Sequence, residues 1–220
     1  MIKLKGIKKI FGSGDTRFYA LRGIDLEIRQ GEYISLVGPS GSGKSTLMYI
    51  IGLLDKPTEG EVFVAGKNTV SMSDEQVSRL RNRFIGFVFQ QFNLIPRLTV
   101  FENIILPYIY SRKTDSAIKA RAESILKDLG IYEKRHNYPN QLSGGQQQRT
   151  AIARALIMEP DMILADEPTG NLDSKTGREI IEILESLNKR GKTLVVVTHD
   201  PSIAKRARRK IKVRDGRIYE

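Results

Sequence analysis

The stretch "GPSGSGKST", residues 38–46, separates "YISLV" (33–37), which reads as a buried strand, from "LMYIIGLL" (47–54), which reads as a helix. It is built of small, turn-forming residues around one cation, Lys44. A glycine-rich turn from strand to helix leaves backbone N–H groups unpaired, with the positive end of the helix dipole behind them. Such a turn suits an anion. The residues also satisfy G-x-x-x-x-G-K-[ST] in full, through Gly38, Gly43, Lys44 and Ser45. In that pattern the loop backbone cradles phosphates, the lysine reaches the β- and γ-phosphates, and the hydroxyl ligates Mg²⁺. A glycine-rich connection with an incidental lysine would need neither the full spacing nor the flanking strand and helix. The stretch therefore implies a nucleoside triphosphate held by Gly38, Pro39, Ser40, Gly41, Ser42, Gly43, Lys44, Ser45 and Thr46, without saying which nucleotide.

At 220 residues the chain is long enough for one sizeable core, or one core and a smaller lobe. The absence of cysteine excludes disulfides and thiolate metal sites, and suits a reducing cytoplasm. The N-terminus "MIKLKGIKKIFG" lacks the apolar core of a signal peptide, and no apolar run approaches bilayer length; "NIILPYIY" is short and interrupted by Pro107. The expectation is a protein that does not span a membrane. A net charge of +11 admits three partners: nucleic acid, an anionic membrane surface, or the nucleotide itself. The densest basic run, "KRARRKIK" (205–212), reads as a solvated helix face followed by an alternating edge strand.

Up to about residue 70, short strand-like runs ("IKLKGIKKIF", "IDLEI", "YISLVG", "GEVFVAG") alternate with glycine turns, and only the segment after Lys44 reads as helix. From Ser73 to about Gln141 the pattern turns helical. "DEQVSRLRNR" and "DSAIKARAESILKDLG" (115–130) are helices, the second stopped at Gly130. Between them lie a strand and loop, "FIGFVFQQFNLIP", and a short helix, "TVFENIILP", closed by Pro107. After Ser143 an α/β rhythm returns: helix "QQQRTAIARALIM", strand "DMILAD", helix "KTGREIIEILESLNKRG", strand "KTLVVVTH", and a hairpin around Asp215-Gly216. Fully apolar strands suit a parallel sheet covered on both faces. The fold class is α/β, a P-loop core with a helical insertion roughly between residues 90 and 145.

A P-loop needs a carboxylate for Mg²⁺ and a group to position the attacking water. "MILADE" supplies Asp166 and Glu167 at the end of a buried strand, where open α/β sheets put their ligands. "DEPTG" also reads as an acidic helix-start turn, and the P-loop upstream decides between the two. "LSGGQQQR" (142–149) places Ser143 as an N-cap before a dozen helical residues, a second helix N-terminus open to an anion. Two copies facing head to tail would let each Ser143-Gly144-Gly145 meet a γ-phosphate held by the other. On the residues alone a plain serine-glycine cap is the stronger reading.

"LSGGQ", "GPSGSGKST" and "ILADEP" together resemble the nucleotide-binding subunit of an ATP-binding cassette (ABC) transporter, over essentially the whole chain. The resemblance implies an N-terminal antiparallel β subdomain added to the P-loop core, with a core lobe of about 1–89 and 146–220 and a helical subdomain of about 90–145. It implies ATP and Mg²⁺ as cofactors, with Ser45, Gln90 and Asp166 toward the metal. Gln90 in "FVFQQF" matches the Q-loop, "GNLD" ending at Asp173 the D-loop, and His199 in "VVVTHD" the switch histidine. Glu167 is implied as general base, and His199, Gln90 and Lys44 as its catalytic company, His199 bonding the γ-phosphate. Ser143, Gly144, Gly145 and Gln146 match the signature that contacts the nucleotide. The adenine-stacking aromatic falls at Phe11, where the family usually has tyrosine; Tyr19 is close by. His136 in "EKRHNYP" has no such company and reads as a surface loop residue.

"IGFVFQQFNLIPRLTVFENIILP" and "NQLSGGQQQRTAIARALIMEPDMILADEPTGNLDSKTG" are similar to the lipoprotein-release and macrolide-export (LolD/MacB) branch, with the cell-division ATPase FtsE a near relative. The branch implies an ATP-induced homodimer, peripheral on the cytoplasmic face of the membrane. Its partner would be a separately encoded integral membrane permease, and the cassette itself would not touch the transported substrate. Phe92, Leu94, Ile95, Leu98 and Val100 either line a groove for that partner or pack inside the insertion. The rival is a soluble ABC ATPase acting on nucleic acid, which the charge favours slightly. One cassette, no heptads and nothing appended speak against it.

Overall fold

A computed structural model describes residues 1–111 and 116–220, with the backbone alone at Asp15. It forms two compact units, residues 1–81 with 193–220, and residues 82–192.

The first unit carries a four-stranded antiparallel sheet of β1 (Ile2–Phe11), β2 (Phe18–Ile28), β4 (Glu59–Val64) and β5 (Lys67–Asn68), in the order β2-β1-β4-β5. Its register sets Ile2 opposite Ile28, Leu4 opposite Leu26 and Ile7 opposite Ile24, so one face is a continuous apolar surface. The same unit holds β3 (Tyr33–Val37), β8 (Thr193–Val197), β9 (Arg209–Arg214) and β10 (Arg217–Tyr219). Strand β3 lies between β8 and β9 and is parallel to both. The β8 strand is buried along its whole length, as its apolar run requires. Helix α1 (Lys44–Ile51) follows β3 and buries Leu47, Met48, Ile50 and Ile51. The short α7 (Pro201–Ala204) follows β8. Helix α2 (Asp74–Phe84) carries the chain out of this unit.

The basic run at 205–212 departs from its expected form. Strand β9 is interior to its sheet, between β10 and β3, and β10 forms the edge. The reason is its alternation: Ile211 and Val213 are fully buried, while Lys210, Lys212 and Arg214 stay outside. The hairpin turn is at Asp215 and Gly216, with φ of 51° and 74°. Two left-handed residues give the turn whose twist matches its strands.

The second unit pairs β6 (Ile85–Val88) with β7 (Met162–Asp166) in parallel, Val88 opposite Ala165. Around this pair stand α3 (Val100–Tyr110), α4 (Ile118–Asp128), α5 (Gly144–Leu156) and α6 (Ser174–Lys189). Helix α5 is central and packs on β6, α3, α4 and α6. Its approach to β6 is close: a Cβ on Gly86 would stand 2.5 Å from the Ala155 carbonyl oxygen. The sequence starts α4 at Asp115, which lies outside the described residues; the described helix begins at Ile118. Residues 90–145 fall wholly within this unit.

Pro107 does not close α3, contrary to the sequence expectation. The helix runs through it to Tyr110. Proline forfeits only the bond its N–H would make to the carbonyl four residues back. The last turn beyond it is tied down by other bonds: Asn82 Nδ2 donates to the Pro107 carbonyl at 3.0 Å, and Ser111 Oγ donates to the Tyr108 carbonyl at 2.7 Å. A capping box of Thr99 and Glu102 fixes the start.

The loop before α3 hangs on one buried side chain. Asn103 is fully buried; its Nδ2 lies 3.0–3.1 Å from the carbonyls of Ile95, Leu98 and Thr99, and its Oδ1 accepts from the Ile95 N–H at 2.8 Å. Of the five apolar residues around this loop, Val100 is buried, Phe92, Leu94 and Leu98 are half-buried, and Ile95 is exposed. An Asn103→Leu substitution keeps the branched four-atom shape, with bulkier ends, and strands these loop groups without partners. It is expected to cost about 1–3 kcal/mol, read as a lowered denaturant midpoint with unchanged slope.

Candidate functional site

In the first unit, the turn after β3 is shaped by close backbone approach. A Cβ on Gly38 (φ 155°) would sit 2.0 Å from the Val213 carbonyl oxygen, and one on Gly43 (φ 102°) 2.6 Å from that of Ala20. Only glycine fits at either position. Gly41 (φ 75°) has nothing within 4 Å of a Cβ, so this side of the loop is open.

Gly43 is the N-cap of α1 and offers no side-chain cap, and the first helical bond is from Leu47 N–H to Gly43 O, 2.8 Å. The N–H groups of Lys44, Ser45 and Thr46 thus have no intrahelical acceptor. Ser42 Oγ is buried without a hydrogen-bond partner. Lys44 Nζ folds back to donate to the Pro39 carbonyl at 2.8 Å. Unpaired donors, an unpartnered buried hydroxyl and one cation form a cradle with the chemistry of a phosphate site.

His199 follows the end of β8 and is exposed. Beside it Asp200 caps α7, and its carboxyl is held below the usual carboxylate range, chiefly by Ser202 and least by the neighbouring His199. Phe11 and Tyr19 lie where β1 ends and β2 begins, 45% and 38% exposed. Each carries a cation near its ring: Lys9 by Phe11 at 5.2 Å from the centroid, Arg22 by Tyr19 at 5.4 Å.

In the second unit the parallel pairing of β6 with β7 brings Gln90 and the Asp166-Glu167 pair past the same strand ends. Asp166 is the last residue of β7, and Glu167 takes φ 43°, turning the chain through a bond from Gly170 N–H to Glu167 O at 3.0 Å. Gln90 meets Asn171 twice: Asn171 Nδ2 donates to the Gln90 main-chain carbonyl at 3.0 Å, and the Gln90 side-chain Nε2 lies 3.4 Å from Asn171 Oδ1. Gly170 makes room, since a Cβ there would stand 2.5 Å from Gln90 Nε2. The next bend, Phe92 and Asn93 at φ 59° and 50°, is held by Arg154, whose guanidinium donates to both carbonyls. Neither Asn171 nor Arg154 was apparent from the sequence as a partner of this segment. Adjacency of β6 and β7 was the signal available, because it sets residues just past each strand side by side.

Ser143 caps α5 as its sequence suggests, in a box with Gln146: Gln146 N–H donates to Ser143 Oγ at 3.3 Å, and Ser143 N–H donates to Gln146 Oε1 at 3.0 Å. Gly144 and Gly145 follow against the start of α6. A Cβ on Gly145 would be 2.5 Å from Thr176 Cγ2, and one on Gly144 3.1 Å from Leu172. Asp173 caps α6, donors being the N–H groups of Lys175 and Thr176 at 3.0 Å, and Thr176 holds its carboxyl low. His136 lies exposed in a turn.

Comparison with known protein families matches residues 21–170 to the ABC transporter family. The ABC transporter ATP-binding protein MJ0796 of Methanocaldococcus jannaschii is 51% identical over 99% of this chain and 95% of its own length. The macrolide export ATP-binding/permease protein MacB of Bdellovibrio bacteriovorus is 51% identical over 99% of this chain, which spans 33% of MacB. A solved dimeric structure of MJ0796, in a post-hydrolysis state with ADP and Pi, superposes with a TM-score of 0.91 at 49% identity, covering 100% of this chain and 97% of that one. The chain belongs to the ABC transporter family. Within it, this is an ATP-binding cassette with the ATPase fold, a mixed α/β architecture that includes the antiparallel sheet.

The tight seat of Gly145 generates a check on the signature. Gly145→Ala is expected to lose about 1–3 kcal/mol through overpacking against Thr176, together with ATP turnover. Thr176→Ser in the same chain removes Cγ2 and keeps the hydroxyl, and is expected to restore part of both.

Proposed function

We propose that the chain is the ATP-hydrolysing subunit of a membrane transport or mechanotransmission complex, closing as a homodimer on ATP at the cytoplasmic face of the membrane and acting through a separately encoded permease. The observation that supports this best is the cradle from Gly38 to Thr46, with its glycine-only backbone and unpaired N–H groups. Among the described residues no helix is long and apolar enough to cross a membrane, so membrane coupling falls to another segment or another chain. The nucleic-acid alternative has no support beyond net charge.

In this reading Lys44 exchanges the Pro39 carbonyl for the β- and γ-phosphates, a charge-assisted bond for a neutral acceptor. Phe11 stacks on adenine, with Tyr19 as the neighbouring aromatic. Among the described residues no cluster of three or more His, Asp or Glu makes a metal cage. Mg²⁺ fits that donor set, because it takes one or two carboxylates with phosphate oxygens and keeps several waters. Ser45, Asp166 and Gln90 would supply its protein oxygens, and bound Mg²⁺ would neutralise developing phosphate charge. Glu167 accepts the proton of the attacking water, and His199 holds that water and the γ-phosphate. Ser143, Gly144, Gly145 and Gln146 close over the γ-phosphate bound to the other copy, as MJ0796 is dimeric in its solved structures. Asp173, at the end of the D-loop, lies beside that contact.

Glu167→Gln separates binding from chemistry. It is expected to bind ATP-Mg²⁺ normally, lose about 10²–10⁴-fold in turnover as a positioned base is removed, and accumulate as dimer in sedimentation. Lys44→Ala is expected to lose ATP binding while melting as the parent does. Near-normal turnover of Glu167→Gln would transfer the base to another group.

A further inference from the structure

Gln148 lies in the second turn of α5, fully buried. Its Nε2 donates to the Pro168 carbonyl at 2.6 Å and, over a longer 3.4 Å, to that of Phe89. These two residues flank the reacting groups: Phe89 precedes Gln90, and Pro168 follows Glu167. The two acceptors fix which way the amide faces, because the reverse orientation would set Oε1 against two carbonyl oxygens. Gln148 Oε1 is then buried with no hydrogen-bond partner. An orphaned amide oxygen costs free energy. A methionine of similar length would fill the same space without it, so packing does not account for a glutamine here.

The surroundings explain what the amide secures. The Gln90 segment is anchored carbonyl by carbonyl: Phe89 by Gln148, Gln90 by Asn171, Phe92 and Asn93 by Arg154. Of these side chains Gln148 also grips the turn after β7, on the far side of the strained Glu167 from the strand. We propose that Gln148 is a positioning residue for ATP hydrolysis: one amide sets the spacing between the backbone that carries Gln90 and the backbone that carries Glu167. This rests on the roles assigned to those two residues above. Gln148 touches neither nucleotide nor water, and acts only through them.

The test is Gln148→Met, with ATP turnover of the parent chain measured alongside. Absent turnover by the parent would overturn the ATPase reading itself, independently of Gln148. Given parental turnover, the variant is expected to lose about 10- to 100-fold in kcat, as for a reacting group displaced by a fraction of an ångström to one ångström. ATP affinity should stay within about threefold and the melting temperature near that of the parent, since the role is in spacing and not in binding. Parental kcat, or a loss confined to ATP affinity, would overturn the proposal. If Gln148→Met does not fold, Gln148→Glu reports instead. Its carboxylic acid keeps one O–H donor when protonated and none when ionised, and burial raises its titration toward neutrality. The ratio of variant to parental kcat is expected to climb between about pH 8 and about pH 6 as that donor returns, and a flat ratio would overturn the proposal.

Discussion

The Val213 carbonyl stands 2.0 Å from where a side chain on Gly38 would begin, and the Ala20 carbonyl 2.6 Å from the same point on Gly43. Everything else in the nucleotide cradle depends on that approach. With β9 and β2 pressed against the turn, the backbone bends back on itself and α1 starts with its N–H groups facing outward. No side chain caps them. Lys44 Nζ donates to the Pro39 carbonyl, within its own loop. A phosphate offers each of these groups a charged acceptor in place of a neutral carbonyl or none, an exchange that strengthens every bond it replaces. The proposed affinity for an anion would then be a consequence of strand packing, with one lysine added.

In the second unit one helix does the corresponding work. Helix α5 presents Ser143, Gly144 and Gly145 at its N-terminus, Gln148 one turn on, and Arg154 near its end. The first group faces the start of α6, the second grips Phe89 and Pro168, the third grips Phe92 and Asn93. An α-helix of this length is stiff, so these three contacts keep fixed distances from one another. A shift of the Gln90 segment therefore has a short, rigid route to the signature turn. The bonds that would carry it all end on main-chain carbonyls, which no single side-chain substitution in the segment removes.

The elements legible in the sequence were those whose cause is local. Apolar strands such as 193–197, the glycine pattern at 38–43, and the left-handed pair Asp215-Gly216 each carry their own explanation within a few residues. Pro107 misled because the last turn beyond it is held by Asn82, 25 residues back in the chain, on the Pro107 carbonyl. Strand β9 misled because its charges mark one face only, and the buried Ile211 and Val213 decide its place. In the candidate site, Lys44 and Ser45 were proposed from the complete G-x-x-x-x-G-K-[ST] pattern. Ser143 on its own chemistry was a helix cap, and in the structure it is one; its further role came from resemblance. Asn171, Arg154 and Gln148 were invisible because each bonds a backbone carbonyl, which has no sequence signature, across separations of 81, 62 and 59 residues.

Glu167 shows most directly where stability yields to function. Along a strand successive side chains alternate between faces, so extending β7 by one residue would send Asp166 and Glu167 to opposite sides of the sheet. The left-handed φ of 43° at Glu167 ends the strand at once and breaks that alternation. For a residue with a side chain such a conformation costs about 1–3 kcal/mol. Glycine would adopt it without strain. A glutamate there means that the carboxylate is kept against the preference of the backbone. The turn is tied at Glu167 by Gly170 N–H donating to its carbonyl at 3.0 Å, and one residue on by Gln148 Nε2 donating to the Pro168 carbonyl at 2.6 Å. At about 1 kcal/mol net apiece such bonds are of the same order as the strain. The strained carboxylate and the buried amide of Gln148 are thus two halves of one arrangement, and neither is explained by packing without the other.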